Sequence, residues 1–377
     1  MNSINKKILF LSGTRADFGK LKSLIRITQN ASNFEAHIFV TGMHLQKKYG
    51  YTVNEIEKSG FKNIYTFENH TAESTMDLTL SKTIEGLSSY IKSLQPDLIV
   101  VHGDRVEALA GAIVGSLNNI LVGHIEGGEL SGTIDELIRH SVSKMSHIHF
   151  VSNNEAKSRL IQMGELEDHI YIIGSPDLDI MFSSELPSIN TVKEYYNIPF
   201  KNYSLVMMHP VTTELNQVEY QSKNLVNALL KTKENFVLIY PNNDMGSSKI
   251  IQVYEQLKDQ PNFKVFPSLR FEYFLVLLKN CQYMIGNSSA GVRETPYYNI
   301  ASVNIGTRQQ NRAKNDSIIN CGYSEAEILA AIKKTKSPIT TKNKTSFGMG
   351  NSDELFYSIL NTESIWNIPC QKQFNDL

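Results

Sequence analysis

Short runs of consecutive apolar residues recur along the chain. Each is followed by a polar or glycine-rich stretch and then by a segment with helical spacing. In the first half the runs fall at residues 8–12, 37–40, 98–101, 120–122, 148–151 and 171–173. Leu21, Leu24 and Ile25 share one helical face after the first run, and residues 107–117 form an alanine-rich helix after the third. Unbroken apolar runs of strand length, alternating with helical periodicity, predict parallel strands buried on both faces and joined by crossover helices. The pattern pauses at 174–203, where Pro176, Pro187 and Pro199 stand among polar residues, and then restarts. Runs at 204–208, 236–239, 263–266, 283–285 and 302–305 alternate with amphipathic segments at 217–231, 247–259 and 270–280. The fold class is therefore α/β, as two Rossmann-like doubly wound parallel-sheet domains. The expected division is 1–175 and 176–360. A helix is expected at 353–360, and residues 361–377, which carry Ile365, Trp366 and Phe374, are expected to dock back onto the first domain.

Length agrees with this count: 377 residues, at roughly 150 per domain, suggest two domains. Charge narrows the function classes. The 37 basic and 38 acidic residues nearly cancel, which argues against a nucleic-acid-binding surface. Cys281, Cys321 and Cys370 are widely spaced and odd in number, so neither a disulfide framework nor a structural zinc is expected. The apolar run after Lys6-Lys7 is too short for a signal peptide, and no run reaches membrane-spanning length. The reading is a soluble cytoplasmic protein with no membrane partner.

The unusual polar clusters sit just after the strands. The first half has Gly13-Thr14-Arg15-Ala16-Asp17, His102-Gly103-Asp104-Arg105 and His124-Ile125-Glu126-Gly127-Gly128-Glu129. The second has His209 to Glu214, Pro241 to Asp244, Gly286-Asn287-Ser288-Ser289-Ala290-Gly291 with Glu294, and Gly306-Thr307-Arg308. Ligands of open α/β sheets bind beyond the carboxyl ends of the strands, so a cleft between two domains is expected. Arg15, Lys20, Arg105, His209 and Arg308 would together form an anion site, and the small residues before a helix opening near Ala290 suit a phosphate. No GxGxxG fingerprint or Walker lysine is present. Asp104, Glu126, Glu129 and Asp135 are the acid–base candidates. Glu126 precedes two glycines that allow positive φ. His102, His124, His140, His147 and His149 show no metal-ligand spacing, so no metal is expected.

The ordered segments GTRADFGK, VTGMH, HGDR, HIEGGELSGTIDELIRHSVSKMSHIH, IIGSPDLD, HPVTTE, YPNND, GNSSAGVRE and GTRQ resemble the UDP-N-acetylglucosamine 2-epimerases over about residues 7–310. The likeness is to the hydrolysing branch that feeds sialic acid synthesis. HPVTTE fits that branch better than the non-hydrolysing one. The resemblance implies a GT-B-like fold with the active site between two domains and the nucleotide held mainly by the second. It implies UDP-N-acetylglucosamine and UDP as ligands, no cofactor, and a homodimer or homotetramer. It makes Arg15, His209, Ser288 and Ser289 diphosphate ligands and Glu294 a ribose ligand. Asp17, Lys20, Asn242, Gly291 and Arg308 go to the nucleotide site, Arg105 lies near sugar and phosphates, and Asp104, Glu126 and Asp135 do acid–base work. The alternatives are a hydrolysing 2-epimerase of UDP-2,4-diacetamido-2,4,6-trideoxyglucose, of the legionaminic acid route, and a glycosyltransferase on the same fold.

Overall fold

The computed structural model describes residues 5–70, 75–131, 134–309, 315–337 and 347–376. The chain divides into two compact units. The first comprises Met1–Glu129, Asp135–Ser184 and Ser346–Leu377, and the second comprises Leu130–Ile134 and Glu185–Thr345. The division thus falls nine residues later than the sequence suggested, because the short helix Asp177–Met181 packs against Arg15–Asn30 of the first unit. The return to the first unit also begins earlier, before the helix Ser352–Leu360 rather than after it.

The first unit holds a seven-stranded parallel sheet. Its strands are β1 (Lys6–Ser12), β2 (Phe34–Val40), β3 (Ile64–Thr66), β4 (Leu98–His102), β5 (Leu121–Ile125), β6 (Ile148–Val151) and β7 (Ile170–Ile172), in the order β3-β2-β1-β4-β5-β6-β7. The second holds a six-stranded parallel sheet of β8 (Ser204–Met207), β9 (Phe236–Ile239), β10 (Phe263–Phe266), β11 (Tyr283–Gly286), β12 (Ala301–Ile305) and β13 (Ile318–Cys321), in the order β10-β9-β8-β11-β12-β13. Strand order reverses direction between β1 and β4 in one sheet and between β8 and β11 in the other. A crevice opens at such a switch point, because the two loops leave toward opposite faces of the sheet.

The return segment is built into the first core. Phe356 packs edge-on to Phe150 at 4.9 Å and lies 6.3 Å from Phe10, while Leu360, Ile365 and Ile368 join the same cluster. Trp366 lies on Phe34, donates its indole N–H to Leu360 O at 2.8 Å, and carries the Lys6 ammonium over its ring. Farther along, Lys372 Nζ donates to Lys144 O, Ser146 O and the buried Glu165 carboxylate. The second unit has its own core, around Val206, Leu238, Ile285 and Val303 of the sheet with Leu225, Leu229 and Ile328 of the helices.

Candidate active site

At the β1–β4 switch of the first unit, the loop after β1 is fixed by its own side chains. Thr14 caps the helix Arg15–Asn30, and Asp17 returns the bond in a capping box. The Asp17 carboxylate accepts from Gly13 N, Thr14 N and Ser12 Oγ at 2.9–3.0 Å. Asp17, expected among the nucleotide ligands, is therefore engaged in closing the turn, and it shapes the loop on which Arg15 stands. His44 supports the same turn. Ser12 Oγ donates to Asp17, so His44 Nε2–H donates to Ser12 Oγ at 3.0 Å and Nδ1 accepts from Thr52 at 2.6 Å. Burial pushes the His44 imidazole down to about 4, which keeps it neutral.

Two of the three residues expected to do acid–base work are tied to one buried cation, Asp104 by its carboxylate and Glu126 by its backbone carbonyl. Arg139, 1% exposed, donates Nη1 to Glu126 O at 2.7 Å and Nη2 to the Asp104 carboxylate. Asp135 lies in the first turn of the same helix, Ile134–Met145, one turn before Arg139 and so on its side of the helix. The two residues that precede this helix, Gly132 and Thr133, are outside the described residues. Glu126 occupies the left-handed backbone region, at φ 63°. A β-carbon residue reaches that region only when its surroundings hold it there. Here its N–H donates to Phe150 O at 2.9 Å and Arg139 takes its carbonyl. Positive φ therefore falls on Glu126 itself and on Gly128, not on Gly127. The absent Gly127 side chain leaves room for His124 Nδ1 and Ser143 Oγ, each 2.9 Å from where its β-carbon would stand.

The Glu126 carboxylate, 2% exposed, is surrounded by donors from three elements. Lys20 Nζ lies 3.1 and 3.3 Å from its two oxygens, His102 Nε2 lies 3.1 Å from Oε2, and Ser175 Oγ donates to Oε1. Lys20 also pairs with Asp177 at 3.3 Å. Lys20, expected on the diphosphate, is thus placed against the Glu126 carboxylate. His124 stands behind Asp104: its Nε2–H donates to Gly103 O at 2.8 Å while Nδ1 accepts from Ser143. Full burial pushes its imidazole down to about 3. Arg15 pairs with Glu55, and Arg105 Nε donates to the buried Glu107 at 3.2 Å. Glu129 is buried and accepts from Ser152 at 2.9 Å.

The second unit gathers its residues at the β8–β11 switch around Asn287. The Asn287 side chain accepts from His209 N at 2.6 Å and donates to His209 O at 2.9 Å, and its own carbonyl accepts from Arg308 and Gln309. His209 Nδ1 accepts from Asn242 N at 3.0 Å, so in the neutral ring the proton sits on Nε2. Asn242 Nδ2 donates to Asp244 at 2.5 Å. Ser288 Oγ accepts from Ala290 N at 3.3 Å at the start of a helix of four residues, Ala290–Arg293, with Ser289 at the N-cap and buried Glu294 at its end. Gly291 has a packing reason: a β-carbon there would fall 2.5 Å from Ser302 Oγ of β12. Glu214, from the HPVTTE segment, accepts from Thr307, Tyr323 and Gln221, and so ties that segment to the Gly306 loop.

Sequence reasoning passed over Arg139, Ser175, Asp177 and Asn287, and read His102 only as an unsuitable metal ligand. His102, Ser175, Asp177 and Asn287 lie where strands end or helices open, which was the one signal available, whereas Arg139 lies in the middle of the helix Ile134–Met145. Among the described residues no group of three or more His, Cys, Asp or Glu is arranged to hold a metal ion, and no helix is long and apolar enough to cross a membrane.

Comparison with known proteins adds four findings. The profile of a family described as UDP-N-acetylglucosamine 2-epimerase matches residues 26–361. A UDP-N-acetylglucosamine 2-epimerase of Neisseria meningitidis serogroup B is 48% identical over 376 residues, covering 99% of both chains. A UDP-N,N'-diacetylbacillosamine 2-epimerase (hydrolyzing) of Legionella pneumophila is 34% identical, covering 95% of this chain and 96% of its own. Among solved structures, the UDP-GlcNAc 2-epimerase of Methanocaldococcus jannaschii in complex with UDP-GlcNAc and UDP has the same fold. Its TM-score is 0.78 at 21% identity, with 94% of this chain and 99% of that one covered.

Proposed function

The chain belongs to the UDP-N-acetylglucosamine 2-epimerase family, and from that premise we propose that it is a hydrolysing 2-epimerase. It converts UDP-N-acetylglucosamine and water to N-acetylmannosamine and UDP. The observation that carries this reading is the pair of carboxylates on Asp104 and Glu126, with Arg139 bonded to the Asp104 side chain and the Glu126 backbone carbonyl, and with Lys20, His102 and Ser175 around the Glu126 carboxylate.

The C2 proton of the sugar is weakly acidic, so direct inversion is slow. Loss of that proton as the C1–O bond to UDP breaks gives a 2-acetamidoglucal. Water then adds across the double bond, its oxygen to C1 and a proton to C2 from the opposite face. Each face needs an acid–base group, and Asp104, Glu126 and Asp135 supply them. UDP leaves with developing negative charge, which prefixed donors stabilise without reorganising. Arg15, Arg105, His209 Nε2–H, Ser288, Ser289 and Arg308 are assigned to the diphosphate, with Asn242 and Glu294 on the nucleoside. In this division of labour the first unit does the ring chemistry and the second supplies most of the groups that hold UDP. The reaction opens sialic acid synthesis in the cytoplasm, with the protein acting as a homo-oligomer.

Proton and phosphorus NMR of the protein with UDP-N-acetylglucosamine in D₂O tests the reading. The expected products are free UDP and N-acetylmannosamine deuterated at C2. UDP-N-acetylmannosamine as product would overturn hydrolysis. Turnover only of the 2,4-diacetamido-trideoxy sugar nucleotide would overturn the substrate assignment, which rests on the higher identity to the Neisseria protein than to the Legionella one. A requirement for an acceptor would indicate a transferase.

A further inference from the structure

The segment Ser175-Pro176-Asp177 follows β7, and its two polar side chains converge on Glu126 by different routes. Ser175 Oγ donates directly to Glu126 Oε1. Asp177, 2% exposed, reaches it through Lys20, whose ammonium stands 3.3 Å from Asp177 Oδ2 and 3.1 Å from Glu126 Oε1. One buried ammonium is thereby shared between two buried carboxylates. The segment is held from behind, since Ser175 N donates to Phe347 O at 2.6 Å and Gly174 and Gly348 meet with no side chain between them.

We propose that Ser175 and Asp177 are positioning residues that set the proton affinity of Glu126 in opposite directions, a role that rests on the reading of Glu126 as an acid–base group. Asp177 competes for Lys20 and adds a second negative charge nearby, so it makes Glu126 easier to protonate. Ser175 donates to the ionised carboxylate, so it makes Glu126 harder to protonate. The other charged or titratable groups facing Glu126 include His102 at the end of β4 and Arg139, which takes its carbonyl and pairs with Asp104. Neither Ser175 nor Asp177 needs to touch substrate for this.

The test is a carboxyl-carbon NMR titration of full-length protein labelled at the glutamate side-chain carboxyls, with the Glu126 signal identified by its loss in Glu126→Gln. Asp177→Asn, close in shape, should move the Glu126 midpoint about one unit to lower pH, and Ser175→Ala should move it to higher pH. Asp177→Ser, which removes the same charge, should move it as Asp177→Asn does. Midpoints unmoved, or moved in the same direction by Asp177→Asn and Ser175→Ala, overturn the proposal. A pH–rate profile with UDP-N-acetylglucosamine is recorded in parallel. Shifted midpoints together with an inactive wild-type protein would retire the enzymatic reading and leave the charge coupling standing.

Discussion

Arg139 is the residue on which the proposed acid–base cluster of the first unit depends, since one guanidinium fixes both the backbone of Glu126 and the side chain of Asp104. Replacing it by Met leaves a carboxylate and a strained carbonyl without their partner. Removing one member of a fully buried ion pair costs about 3–5 kcal/mol; the Asp104 side chain is 21% exposed, so the loss that urea unfolding registers should fall below that range. Arg139→Lys keeps the charge but lacks the planar fork that spans two acceptors, so turnover should fall while the fold survives. Glu126→Gln should reduce turnover by about a hundredfold or more and leave UDP titration nearly unchanged. A collapse of UDP affinity instead would make Glu126 a structural residue. In the second unit, His209→Ala and Asn287→Ala should both weaken UDP binding with calorimetry as the readout. Asn287 acts by holding the His209 backbone on both sides.

At the scale of the element, the ends of strands and the starts of helices are where the sequence is least forgiving. Gly286 ends β11 at φ 137°, and a β-carbon there would stand 2.0 Å from Met207 O of the neighbouring β8. Gly286→Ala should therefore part the two strands at the switch point, lowering the melting temperature of the protein and its UDP affinity together. The helix Ser352–Leu360 begins on Asp179, whose carboxylate accepts from Ser352 N at 2.8 Å, from Asp353 N at 3.1 Å and from Ser23 Oγ at 2.8 Å. Burial raises this carboxyl from 3.8 to about 6. The folded state then holds the proton more tightly than the unfolded chain, so stability contributed here is fullest below pH 4 and is lost as pH rises toward 6. Urea midpoints between pH 4 and 6 should show this decline, and Asp179→Asn should flatten it.

Most strands were legible because both faces of a central parallel strand are buried, which forces an apolar run. Edge strands β3 and β13 were not, since Tyr65, Thr66 and Asn320 are exposed and break the run. The carboxylates and the strand-end cations were legible by position alone. Their partners were not: Lys20 meets Glu126 across a separation of 106 residues, and Ser175 meets it across 49. No local spacing records such a meeting, so the diphosphate was the only destination a sequence could suggest for Lys20.

Across the whole molecule the two units have separate cores, both are discontinuous in sequence, and the first is completed by a segment that follows the whole of the second. Its return segment is clamped where Lys372 meets Glu165. Burial alone would raise the Glu165 carboxyl, but its hydrogen bond to His149 and the charge of Lys372 outweigh that and hold it down to about 2. This contribution is present above pH 4.5 and is lost as pH falls toward 2. Lys372→Met should therefore move acid unfolding of the first unit to higher pH. Trp366 is the only tryptophan and lies in that unit, so intrinsic fluorescence follows it alone.

The same discontinuity orders events during synthesis. A ribosome delivers β1 first, yet Phe10 and Phe150 gain their aromatic neighbour Phe356 only after the whole of 185–345 has been made. The unit encoded in the middle can close its core while the one whose first strand is β1 still waits with apolar surface open to water. Domains ordinarily fold in the order they emerge. Here the first to appear is the last to finish, and the interval is when a nascent-chain chaperone has most to protect.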